Sequence, residues 1–334
     1  MNPPRATDRQ YIDFLIGMPK VASACEAARV QPPAANAPAH DAFSRLLARL
    51  EPDPETLWQE VRPPVRRADC ILVVDDTVLD KPRAAKMGLL GRFWSGKHQR
   101  VVRGINPVTL AWSDGDSVDP TDYRLVDPAE DLERNKNEHF REMLVAAKAR
   151  GFAPRRACFD SWCSGKENPK AARNRGWHFL TPVRSNRRVN LDRTGNKSIS
   201  EQPIAESGTV VHAEGFGLVK AFRIVAPNGD TEHGITDDLG MDEVARVEYA
   251  LRAWAIEEYH RGLKQCTGVE RCQARLARSQ RNHIGLALRA FVRLEFHRFQ
   301  SGITWYEAKW SIVHDAVRAY LSNPKYNLPQ IATA

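Results

Sequence analysis

The chain has 334 residues, 42% hydrophobic and 27% charged, which excludes a disordered polypeptide and leaves room for one large domain or two ordinary ones. Forty-nine Lys and Arg against forty-one Asp and Glu give a net charge of +8, a balance suited to a polyanionic partner bound through its phosphates. No apolar stretch approaches the roughly 18–20 residues of a membrane span, and Met1-Asn2-Pro3-Pro4-Arg5 lacks a signal-peptide pattern, so a cytoplasmic protein without a membrane partner is expected.

Residues 1–67 read as a helical N-terminal region. Tyr11, Phe14, Leu15 and Met18 recur at helical spacing, as do Phe43, Leu46, Leu47 and Leu50. The stretch Gln31 to Pro38 is a Pro-rich loop between them, and Pro63-Pro64 closes the region. It serves either as a DNA-binding unit or as a cap packed on the core; no helix-turn-helix pattern is visible.

A second region, 68–184, changes rhythm. Ile71 to Val74 is a continuous apolar run, as in a strand covered on both faces. Val101–Trp112 and Val118–Val126 follow as strands around an Asp114-Gly115-Asp116 turn. Asn135 and Glu138 form a capping box for a helix with Phe140, Met143, Leu144 and Ala147 on one face, ending at Gly151. Ala157–Asp160 is a strand, Pro169 to Arg175 belongs to a helix, and Trp177–Val183 is another strand. Three strands fit for a meander, followed by helix crossovers, predict an α/β fold with a mixed sheet flanked by helices, in the order of a ribonuclease-H-like core. Its first and fourth strands lie side by side.

Residues 185–240 form a small β-rich insertion: Thr209-Val210-Val211 and Leu218 to Val225 are short apolar stretches, and Pro227-Asn228-Gly229-Asp230 is a turn. Its lead-in carries Arg184, Arg187, Arg188 and Arg193, either a phosphate-tracking strip or a solvated loop. The last region, 241–334, opens on Asp242 as an N-cap and runs as one helix through Tyr249 to Gln265; Asn282–Phe299 and Trp305–Leu321 are further helices. The six cysteines form no close Cys-x-x-Cys pair, so they read as reduced thiols and not as a zinc site.

Three carboxylates stand out. Asp76 ends the first strand beside Thr77. Asp75 is the alternative, since alternate strand residues face opposite sides and only one of the two can enter a given site. Asp160 ends the fourth strand, where α/β folds place ligands, although an isolated Asp there also serves as a helix cap. Glu257 shares a helix face with Arg261 and Lys264, which fits either a salt-bridged surface or a functional charge among apolar neighbours.

Val74-Asp75-Asp76-Thr77, Asp160-Ser161-Trp162 and Trp254 to Gln265 together resemble the three blocks of bacterial insertion-sequence transposases of the DDE type. The likeness is to the group with a Tyr-Arg-Glu-Lys signature, and Phe93 to His98, Arg103-Gly104-Ile105-Asn106 and Gly268 to Gln273 add to it. The resemblance implies a cut-and-paste DNA transposase with Asp76, Asp160 and Glu257 as catalytic ligands of two Mg2+ ions, which Mn2+ can replace. It implies DNA contacts from Tyr249, Arg252, Arg261 and Lys264, with Arg252 one residue farther from Glu257 than the signature has it. It further implies double-stranded transposon ends and target DNA as partners, a homodimeric synaptic complex, and a nucleoid-associated cytoplasmic location in a bacterium. A transposase-derived DNA-binding protein without cleavage, or another ribonuclease-H-like nuclease such as a junction resolvase, are the alternatives.

Overall fold

Thr7 and Gln10 cap each other's backbone and start α1 (Asp8–Gly17), whose Tyr11, Ile12, Phe14 and Leu15 are buried. The computed structural model describes residues 4–20, 22–129, 135–226 and 228–324; Met1 to Pro3 and Pro227, the first residue of the expected turn, lie outside them. Helices α2 (Ala24–Arg29), α3 (His40–Arg49) and α4 (Pro54–Val61) follow, with Asp53 capping α4 and Pro54 at its first position. Of these α2 and α4 escaped the sequence reading, because six and eight residues are too few to display a helical period.

The strands are β1 (Ile71–Asp76), β2 (Leu79–Asp80), β3 (Gly91–Ser95), β4 (Arg100–Ser113) and β5 (Val118–Val126), then β6 (Arg156–Phe159) and β7 (His178–Val183). Between them lie α5 (Lys136–Ala149) and α6 (Glu167–Arg173). Strands β8 (Arg188–Asn190), β9 (Lys197–Ser198), β10 (Thr209–Ala213), β11 (Gly217–Val225) and β12 (Thr231–Thr236) lead to α7 (Glu243–Ala253), α8 (Ala255–Cys266), α9 (Ala277–Ser301) and α10 (Trp305–Ser322).

Five strands in the order β5-β4-β1-β6-β7 form the centre of one mixed sheet; β1 pairs antiparallel with β4 and parallel with β6, and β6 runs parallel to β7. This is the ribonuclease-H-like arrangement expected from the element order. The residues of 185–240 do not make a separate sheet. Strand β12 pairs antiparallel with β7 and carries β11, β10, β8 and β9 outward as an extension of the core sheet. Strand β12, Thr-Glu-His-Gly-Ile-Thr, has too little apolar alternation to be read from sequence, and β3 is interrupted by glycine and arginine.

The two faces of the sheet are covered differently. On one, Phe140 of α5 meets Phe159 edge-on at 5.0 Å between ring centroids. On the other, α7 crosses β1 and β6, and α8 and α9 cover β5. The expected continuous helix Tyr249–Gln265 is broken at Trp254, which ends α7 and begins α8. No glycine or proline marks the break. Packing imposes it: α7 lies along β1 and β6 while α8 turns its buried Ile256, Tyr259 and Leu263 toward α9 and α10.

The N-terminal helices pack on α9. There the Tyr11 hydroxyl donates to His283 Nδ1 at 3.0 Å, because His283 Nε2 must carry the proton that it gives to the Gly268 carbonyl at 3.2 Å. Complete burial, aided by the nearby Lys81 ammonium, pushes the imidazole pKa from 6.5 down to about 4. The unfolded chain therefore takes up a proton between about pH 6.5 and 4 that the folded chain refuses. Stability is full above pH 6.5 and falls as the pH drops toward 4, by an amount on the order of 2 kcal/mol between pH 7 and 5 from this group. Urea titrations should show His283→Gln losing less stability than wild type over that interval; equal losses would rule the histidine out as the cause.

Among the described residues the six cysteines are free and five of them are buried, and no helix is long and apolar enough to cross a membrane.

Candidate active site

The registers of β1 and β6 decide which acids can meet. Ile71 pairs with Arg156, Leu72 with Ala157, Val73 with Cys158 and Val74 with Phe159. One further step brings Asp75 level with Asp160. Paired residues of parallel strands point the same way and neighbours along a strand point opposite ways, so Asp75 shares the face of Asp160 and Asp76 takes the other. Side-chain contacts agree. Asp75 lies under α8, with His260 Nδ1 at 3.8 Å from Oδ2 and Trp162 Nε1 donating to Oδ1 at 3.4 Å. Asp76 faces α5 and receives hydrogen bonds from Lys136 Nζ at 2.6 Å and Asn106 Nδ2 at 2.5 Å. The sequence reading grouped Asp76 with the other two acids; by sheet face and side-chain contacts it is Asp75 that lies with Asp160.

The charge state of the two aspartates differs accordingly. The Asp75 side chain is only 14% exposed and has no cation paired with it among the described residues. Burial first, and then the negative charges of Asp76, Asp160 and Glu257, hold its pKa well above the usual carboxylate value. Asp76 is compensated by the Lys136 ammonium, which also lies 5.1 Å from the Trp162 ring centroid.

Asp160 is exposed and precedes a single 3-10 turn, Ser161–Cys163, but its carboxylate caps nothing. The capping role open to it from sequence is thereby set aside. Among the described residues neither Asp160 nor Glu257 has a side-chain hydrogen bond or ion pair. Glu257 stands exposed in the first turn of α8, where the helix N-terminus favours negative charge. Asp75, part-buried and repelled, and the free Asp160 therefore lie on one face at the C-terminal ends of β1 and β6, and the free Glu257 is near enough for its charge to act on Asp75.

As they stand, no three His, Cys, Asp or Glu side chains among the described residues form a ready metal cluster. The donor set nonetheless fits a hard divalent cation: it is all carboxylate oxygen, and the unrelieved repulsion on Asp75 is what such a cation would remove.

The remaining sequence-predicted residues separate. Lys264 donates to the Val78 carbonyl at 2.9 Å and lies 3.9 Å from Glu270, so it fastens α8 to the segment leaving β1; burial lowers its pKa. Arg261 is exposed and unpaired among the described residues, on the side of Tyr306. Tyr249 lies under the Arg156 guanidinium, 4.4 Å from the ring centroid, and Arg252 pairs with Glu248 beside the Gly115 turn. Arg156 is level with Ile71, four residues below Asp75 on the strands, or about 13 Å. Tyr249 and Arg252 therefore sit at the end of the sheet opposite the acids, and the break at Trp254 separates their helix from that of Glu257.

Four neighbours of the acids were missed from sequence: Lys136, Asn106, Trp162 as a ligand of Asp75, and His260. His260 is fully buried, and burial together with Lys264 pushes its pKa down to about 3, so the ring is neutral and relieves none of the charge on Asp75. Its spacing of three from Glu257 was the available signal. Nothing in sequence places Lys136 beside Asp76.

The topology is that of a ribonuclease-H-like protein, and comparison with known families adds the class of activity. Residues 5–200, more than half of the chain, match the family model described as DDE superfamily endonuclease, and the chain belongs to that family. The match includes Asp75, Asp76 and Asp160 but ends before Glu257. Among solved structures, the piggyBac transposase in a synaptic complex with hairpin DNA is similar over 98% of this chain and 74% of that one, with a TM-score of 0.52 and 13% identity, a likeness of fold. No curated protein sequence matches the chain.

Proposed function

We propose that the chain is a DNA transposase, cutting at the ends of a mobile element and joining them to a target, with Asp75, Asp160 and Glu257 as the carboxylates that hold two divalent cations, Mg2+ or Mn2+. The observation that supports the reading is that Asp75 and Asp160 share one face at adjacent strand ends, with the Glu257 charge acting on the part-buried Asp75. When bound, such a pair of ions, typically about 3.5–4 Å apart, activates an attacking oxygen and stabilises the leaving one. The chain's own residues prepare that place. Trp162 orients Asp75, Lys136 withdraws Asp76 from the site, and Lys264 holds the helix that presents Glu257. Double-stranded DNA is the proposed partner, supported by the net charge of +8 and by the DNA complex of the similar transposase. A homodimer bringing two element ends together, and a cytoplasmic place on the nucleoid, belong to the same proposal.

The test uses duplex DNA carrying the ends of the sequence that flanks the gene, with Mg2+ and a target plasmid. Cut and joined products are expected from wild type; Asp160→Ala should lose both and keep DNA binding. Joining by that variant would sink the assignment. Nicking without joining would favour a resolvase, and binding without nicking a DNA-binding derivative.

A further inference from the structure

The segment from Lys81 to Ser113 contains seven Lys and Arg and no Asp or Glu, against a net charge of +8 for the whole chain. It builds β3, the turn after it and the whole of β4. Lys81, buried, donates to the Glu270 carbonyl at 2.6 Å, and Arg103, at the surface, donates to the Ala84 carbonyl at 2.8 Å. Arg83, Lys86, Arg92, Lys97 and Arg100 do not. All five are exposed, and among the described residues their side chains have no hydrogen bond or ion pair.

The same hairpin exposes an aromatic surface. Trp94 and Val101 are a cross-strand pair, 61% and 57% exposed, and the next pair along is Arg92 with Arg103. Most of the Trp94 indole is left in water near arginines, and among the described residues β3 pairs only with β4. Beside it lies a cleft of about 580 Å³ lined by Arg92, His98, Arg100 and Arg103. The hairpin is fixed relative to the acids. His98 Nε2 lies 2.7 Å from Asp80, and the Asp80 backbone N–H donates to Glu270, the residue beside Lys264 of α8. On its opposite face Phe93 lies 6.0 Å from Lys136 Nζ.

We propose that the β3–β4 hairpin is a DNA-gripping arm, with Arg92, Lys97 and Arg100 on phosphates and Trp94 stacked on an unpaired base at the end of the duplex. It rests on the DNA-cutting reading above and adds to it where the strand leaving the acids is held. Cation-lined grooves with aromatic platforms bind single strands irrespective of sequence, which suits an arm that must hold whatever base lies beside a cut.

The probe is a fluorescein-labelled duplex with a two-nucleotide 3′ overhang carrying 2-aminopurine, titrated at several salt concentrations. Arg92→Ala/Arg100→Ala should lower the slope of log affinity against log salt by about 1.8, since each phosphate contact contributes about 0.9. Trp94→Ala should abolish quenching of the 2-aminopurine and weaken binding roughly 5- to 150-fold, and Trp94→Phe should keep the quenching. Wild-type slopes and quenching in these variants, with wild type binding and cutting normally, would overturn the arm alone. Failure of wild type to bind DNA would overturn the arm together with the reading beneath it. If Trp94→Ala instead converted a DNA-free dimer to monomer in sedimentation and left the slope unchanged, the surface would belong to a second copy and the proposal would fall.

Discussion

Asp75→Asn is expected to lower metal-dependent DNA cleavage by a factor on the order of 10³, while Asp76→Asn stays within about tenfold of wild type. Removing one charged ligand from a two-cation site forfeits several kcal/mol of transition-state stabilisation, and about 4 kcal/mol corresponds to that factor. Asn is nearly isosteric and relieves the repulsion that burdens Asp75, so the variant should fold at least as stably as wild type. Asp76→Asn has the opposite profile. It leaves the Lys136 ammonium, 29% exposed, without its counter-charge, at a cost of about 1–3 kcal/mol of stability. Cleavage rates and urea midpoints of the two variants check the pair of statements together. An inactive Asp76→Asn beside an active Asp75→Asn would reverse the assignment and restore the sequence reading.

Phe291→Ala is expected to cost about 3–5 kcal/mol, a large part of the roughly 5–15 kcal/mol that holds a domain folded. Phe291 is completely buried in α9 and joins two other helices. Its ring meets Tyr259 of α8 edge-on at 5.0 Å and Trp305 of α10 at 4.9 Å. Gly262 lets this contact close: a Cβ there would lie 2.6 Å from Trp305 and 2.9 Å from Phe291. The cavity cannot readily collapse, because Trp305 is itself held by a 2.6 Å hydrogen bond to Glu295. Since α8 also presents Glu257, cleavage at low temperature should fall further than the folded fraction measured by circular dichroism. Loss of activity in strict proportion to folded protein would show that α8 keeps its place without Phe291.

Much of the fold was legible because its elements carry redundant signals. Helix α5 has both a capping box and an apolar stripe, and β5 has the bounds Val118–Val126 expected after the Asp114-Gly115-Asp116 turn. Strands β3 and β12 were hidden because their pairing is tertiary: neither has the apolar pattern that a covered strand displays alone. The acids were legible as candidates, and the choice between Asp75 and Asp76 was not. It depends on the register of β1 against β6, a single-residue matter that inverts every side chain of the strand. The break at Trp254 had no local cause, and so the displacement of Tyr249 and Arg252 to the far end of the sheet could not be foreseen.

The chain order of the acids has a consequence for how the protein is made. On the proposed assignment two ligands lie on strands that pair with each other, and the third arrives on α8, after the whole sheet extension from β8 to β12 has been laid down. A polypeptide that has left the ribosome only as far as β12 carries both aspartates, yet it has no Glu257 to complete the set. Helix α8 is in turn seated by α9 and α10, which follow it in the chain. On that assignment the set of three acids is complete only in a chain that has passed α8, and a product truncated before that helix would lack its third member.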